Sequence, residues 1–114
     1  MPPPPRRGDP VRVAAFAVPG CGLSNHQVWS AVIDEVERNG AIPRVDIEAW
    51  LRMSGIVAVR DDALLVGVPN VLAERRAAGR YLSTLAAAVE RVTGVRFPLA
   101  VVVGDGREGE EDAG

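Results

Sequence analysis

The chain has 114 residues, 13 basic and 15 acidic, for a formal net charge of -2, with 47% hydrophobic and 25% charged residues. These values describe one modest globular domain and exclude a strongly basic polyanion binder. A lone cysteine, Cys21, and a lone histidine, His26, exclude an internal disulfide and fall short of a structural zinc site. Aromatic residues are scarce, so the core must be built from Val, Leu, Ile and Ala. Every basic residue is arginine, which reads first as GC-rich coding and second as phosphate recognition. No apolar run approaches the roughly 20 residues of a transmembrane helix. The Pro-rich, basic start lacks the apolar stretch of a signal peptide, so a cytoplasmic location and no membrane partner are expected.

Pro2 to Pro5 favour an extended polyproline II run. Val11 to Val18 is apolar enough for a short strand, broken by Pro19, Gly20 and Gly22. Residues 1–23 are therefore expected to be an arm or linker, and residues 24–103 the domain. Ser24 and Gln27 have the spacing of a capping box. Val28, Trp29, Val32, Ile33 and Val36 then recur at helical spacing, and Asn39-Gly40 closes the first helix. Pro43 opens a second, short helix carrying Ile47, Trp50 and Leu51 at i, i+3 and i+4. Ile56 to Arg60 and Ala63 to Val68 read as a β-hairpin turned by Asp61-Asp62 and stopped by Pro69. Asn70 is a suitable N-cap for a helix running to Thr93, with Gly94 as its C-cap. Leu72, Ala77, Tyr81, Leu85, Ala88, Val89 and Val92 define its expected buried stripe, and Gly79 weakens it. Val95 to Val103 is the last strand, with Pro98 pointing to an edge or a bulge. Residues 104–114 form an acidic, Gly-rich tail expected to be disordered.

The expected fold class is α+β, a KH-like α-α-β-β-α-β order with a small three-stranded sheet packed with helices. The helix before the last strand permits parallel as well as antiparallel pairing.

Over residues 28–103 the frame resembles the N-terminal domain of the bacterial chromosomal replication initiator DnaA. Trp29 stands where that family has a Trp early in its first helix. Ile47-Glu48-Ala49-Trp50-Leu51 looks like its second-helix pattern, and Leu64 to Asn70 like its second strand ending in Val-Pro-Asn. Tyr81-Leu82 falls at the family's distance after that Asn, and Val95 to Val103 matches the closing strand. Two departures stand out: Arg75-Arg76 occupies a site where the family has an apolar-aromatic pattern, and the first interhelical loop is slightly longer. No phosphate loop and no helix-turn-helix are found in these residues, so the resemblance implies a stand-alone module rather than an initiator.

The resemblance implies a non-enzymatic adaptor or regulator of replication initiation, without cofactor or metal. It would dock to an initiator, the replicative helicase or a regulator. Self-association would run through the first helix and include Trp29, giving a homodimer. The partner surface at the starts of helices two and three would include Asp46, Ile47 and Leu72. Each residue also has a plain structural reading. Trp29 fits the core stripe, Asp46 a favourable acid in a helix's first turn, and Leu72 the first core residue of its helix. The alternative function is a small KH-like module binding single-stranded nucleic acid through Arg75, Arg76 and Arg80, which otherwise form a solvated face. The Gly-x-x-Gly clamp of that class is missing between the helices, which keeps nucleic-acid binding weak at most. His26, Cys21 and the acids Asp34, Glu35 and Glu37 lack the partners that catalysis requires.

Overall fold

A computed structural model describes residue 11 and residues 13–104. Pro2 to Pro5 and the tail beyond Gly104 lie outside the described residues. Helix α1 (Asn25–Arg38) starts on the expected capping box: Ser24 Oγ accepts from the Gln27 amide, and Gln27 Oε1 accepts from the Ser24 amide at 2.9 Å. Helix α2 (Arg44–Ala49) follows Pro43 and runs through a single 3-10 turn, Leu51–Met53, into strand β1 (Gly55–Arg60). β1 and β2 (Ala63–Val68) form an antiparallel hairpin with a bulge between Ile56 and Ala58. Asp61 and Asp62 both take positive φ, 52° and 66°, as a two-residue turn of the strand-matching hand requires.

The long helical stretch is one path in three pieces. Helix α3 (Val71–Arg76), capped by Asn70 Oδ1 accepting from the Ala73 amide, leads into a π turn at Ala77–Tyr81 and then helix α4 (Leu82–Thr93). Gly94, at φ 76°, ends α4 in the left-handed conformation. Strand β3 (Leu99–Val103) then pairs parallel with β2, giving the sheet order β1-β2-β3. The fold class is therefore the expected α+β arrangement. Pro98 immediately precedes β3 rather than interrupting it, which spares the ladder a missing N–H.

Helices α1 and α3 pack against the sheet, and α4 and α2 pack on α1. Val28, Val32 and Val36 of α1, Leu85 and Val89 of α4, and Leu51 meet Ile56, Leu64, Val66 and Val68, all buried. The alternate residues of β2, Leu65 and Gly67, point to the other face, as the two-residue strand period demands. Gly67 permits a close approach there: a Cβ would collide with the Gly104 carbonyl and the Val57 side chain.

Two expectations change. Of the segment expected to be an arm, residues 13–23 pack on the domain. Val18 is 1% exposed, and the buried Asn25 side chain ties the segment down. Asn25 Oδ1 accepts from the Phe16 amide at 2.9 Å, while Nδ2 donates to the Ala14 and Ile56 carbonyls at 3.2 and 2.9 Å. Among the described residues, Val11 and residues 13–18 add no strand to the sheet; an antiparallel bridge joins Ala17 to Ser24. The buried stripe of the third helical stretch also begins one residue later than expected, at Ala73, and Leu72 faces outward. Leu72 stands five residues before Ala77 on regular helix, about 140° round the axis from it, whereas Ala73 stands four before and shares the buried face with Ala77 and Tyr81.

Candidate protein-docking surface

The surface is organised around Asp46, in the first turn of α2 and 4% exposed. Three donors from three elements converge on its carboxylate. Trp50 Nε1, one helical turn on, donates to Oδ1 at 3.1 Å, and Arg76 Nη1 of α3 donates to the same oxygen at 2.8 Å. The Tyr81 hydroxyl, at the close of the π turn, donates to Oδ2 at 2.9 Å. The Trp50 and Tyr81 rings lie 6.1 Å apart, tilted by 31°. Burial alone would raise the Asp46 carboxyl. The bonds from Trp50, Tyr81 and Arg76, with the Arg76 charge, outweigh it and hold the group below its ordinary value of 3.8. The Tyr81 hydroxyl moves up from 10.0, first because it is buried and then because it faces the Asp46 carboxylate.

This cluster joins the first turn of α2 to the end of α3 and the π turn, and exposed apolar side chains lie one residue or one turn from its members. Val45, beside Asp46, is 71% exposed; Leu72, one turn before Arg76, is 63% exposed; its neighbour Val71 is 53% exposed. Among the described residues these are the exposed large hydrophobics, and they stand in the first turns of α2 and α3. Arg76 is half-exposed, its guanidinium turned to Asp46. Arg75 and Arg80 are exposed.

The expected site residues therefore divide. Leu72 is on the surface. Trp29 is 5% exposed, its indole Nε1 donating to the Leu51 carbonyl at 3.2 Å, so it is a core residue and not an exposed dimer anchor. Ile47, 1% exposed, belongs to the core. Asp46 is engaged within the chain and holds the surface together instead of forming part of it. Val45 was missed. It is a β-branched residue in the first turn of a very short helix, and only the neighbouring Ile47-Trp50-Leu51 stripe, which leaves position 45 outside the core, signals its exposure. Of the three arginines, Arg76 is paired with Asp46, leaving Arg75 and Arg80 as cations of the solvated face. Among the described residues no group of three or more His, Cys, Asp or Glu is placed to hold a metal ion, and no helix is long and apolar enough to cross a membrane.

No protein-family model matches the chain. Two curated relatives carry the same description, chromosomal replication initiator protein DnaA. The protein from Herpetosiphon aurantiacus is 26% identical over 81 residues, covering 71% of this chain and 17% of the relative. That from Symbiobacterium thermophilum is 36% identical over 67 residues, covering 59% of this chain and 14% of the relative. The chain thus has DnaA-related sequence but spans about a sixth of the length of the relatives it matches.

Proposed function

We propose that this chain is a protein-docking module of the DnaA N-terminal type, acting in replication initiation as an adaptor or regulator rather than as an enzyme. It works by binding an initiator, the replicative helicase or an associated factor. The observation that carries this reading is the exposure of Val45, Val71 and Leu72 at the starts of α2 and α3, two helices joined by the Arg76–Asp46 ion pair. Of the three residues that the resemblance assigns to partner recruitment, Leu72 is among these exposed side chains, and Val45 is the sequence neighbour of Asp46. Exposed aliphatic side chains of this size, near a half-buried ion pair that joins their helices, favour an interface over an inert surface. The similarity to DnaA supports the setting. With Trp29 in the core, self-association through that residue has no support, and the docking face carries the proposal instead.

The test is affinity capture from a bacterial lysate with the 114-residue chain and its Leu72→Arg variant as parallel baits. Leu72 is exposed, so the variant keeps its stability within about 0.5 kcal/mol. Recovery of initiator or helicase by the wild type alone supports the reading. Recovery of neither by a folded bait overturns it.

A further inference from the structure

We propose that the segment bound by the Val45–Leu72 surface is an acidic amphipathic helix of a partner protein, selected by Arg75 and Arg80. This rests on the docking reading above and adds the chemistry of the partner.

Among the described residues the other arginines are engaged. Arg38 and Arg91 pair with Glu35, Arg44 and Arg52 with Glu37, Arg76 with Asp46 and Arg96 with Glu90. Among the described residues Arg75 and Arg80 have no ion-pair partner, and both flank the exposed Leu72. Leu72 and Arg75 are three residues apart on α3, hence neighbours on its surface. The π turn slows the angular advance of the path, so Arg80 falls in the row started by Leu72 and Arg76. An unbroken α-helix would carry it further round.

Among the described residues the unpaired cations of this net acidic chain therefore stand on one short path, beside the exposed Leu72. A cation with no internal partner keeps its full capacity for a charge-assisted bond to a carboxylate, and arginine makes such bonds bidentate. The complement is a helix with one apolar stripe, seated on Val45 and Leu72, and carboxylates on the flank facing Arg75 and Arg80. A nucleic acid would satisfy the arginines but would leave three aliphatic side chains against phosphate and sugar. A neutral apolar helix would leave the guanidinium groups without anionic partners.

The test is a ¹⁵N chemical-shift titration of the full chain with three probes: a capped 16-residue amphipathic Leu/Glu peptide, the same peptide with Lys for Glu, and oligo(dT). The acidic peptide is expected to bind with shifts centred on Val45, Val71, Leu72 and Arg75. The Lys peptide is expected to bind at least about tenfold more weakly. Arg75→Glu with Arg80→Glu, both exposed, should weaken the acidic peptide by a similar factor while the spectrum stays dispersed, and Leu72→Ser should weaken it independently. Equal binding of the two peptides, shifts elsewhere, or no shifts at millimolar acidic peptide overturns the proposal. Tighter binding of oligo(dT), lost on charge reversal, assigns the surface to nucleic acid and also overturns it. A surface that binds the acidic peptide but captures no replication protein would sink only the functional reading.

Discussion

The Tyr81 hydroxyl donates a 2.9 Å hydrogen bond to the Asp46 carboxylate across 35 residues of sequence, tying the short helix α2 to the π turn of the third helical stretch. A six-residue helix is not stable alone. Its position, and with it that of Val45, depends on Ile47 in the core and on this carboxylate. Asp46→Ala would strand the buried Trp50 and Tyr81 donors and release Arg76. The expected cost is about 3 kcal/mol, and Tyr81→Phe, which removes one bond to a charged acceptor, costs about 1.5 kcal/mol. Urea midpoints at unchanged m-value measure both. Equal costs, or a loss below about 0.5 kcal/mol for Asp46→Ala, would show that the cluster does not hold α2.

The same carboxylate sets an acid limit. Its pKa in the folded chain lies below the ordinary value of 3.8, so the unfolded chain takes up a proton first as pH falls. The stabilisation it contributes is complete above that ordinary value and is lost as pH falls through the lower folded value. Wild type should therefore lose more stability between pH 6 and pH 3 than Asp46→Asn, whose side chain does not titrate. Glu35, held down by its hydrogen bond from Arg91 and then that from Arg38, titrates in both proteins and cancels in the comparison. Parallel pH profiles for the two would remove Asp46 from this role.

Much of this was legible in the sequence, because local chemistry and tertiary need agreed. Ser24 and Gln27 cap α1, the Asp61-Asp62 pair turns the hairpin, Asn70 caps α3 and Gly94 ends α4, each through its own backbone preference. What escaped depends on partners distant in sequence. Asn25 reads as an ordinary first-turn residue, and nothing nearby announces that its amide grips Phe16, Ala14 and Ile56. Asp46 reads as a helix-start acid because its partners lie 30 and 35 residues away. Leu72 reads as core from its hydropathy, although it stands five residues before Ala77, off the face that Ala73, Ala77 and Tyr81 share.

Gly67 should be the least replaceable glycine of the sheet. It pairs with Gly55 on one side and Val102 on the other, and a Cβ would meet the backbone carbonyl of Gly104 and the Val57 side chain. Val57 can adjust its rotamer. The Gly104 carbonyl cannot retreat without disturbing the 2.8 Å bond from the Gly104 amide to the Val68 carbonyl. Gly67→Ala is therefore expected to destabilise by about 2 kcal/mol, within the range for overpacking. Hydrogen exchange should localise the damage: amide protection falls at Gly104 and along β3 more than at the β1–β2 turn. Uniform loss, or none, would mean that the β3 end adapts without breaking its pairing.

Gly79 leads to the opposite expectation. It lies inside the π turn, its φ is not positive, and a Cβ added there meets no atom within 4 Å. Alanine thus gains helix propensity at no steric cost, about 0.5–1 kcal/mol, which in a domain of this size raises the melting temperature by roughly 4 °C. The gain depends on the wide turn surviving. Were alanine to draw the path into a regular α-helix, Tyr81 would rotate off the core stripe and its hydroxyl would leave Asp46, at a cost that cancels the propensity gain. Thermal melts of Gly79→Ala in the wild-type and Tyr81→Phe backgrounds separate the two outcomes. Equal stabilisation in both says the π turn is held by the packing of Ala73, Ala77 and the Tyr81 ring. Stabilisation confined to the Tyr81→Phe background says that glycine is needed to let the hydroxyl reach Asp46.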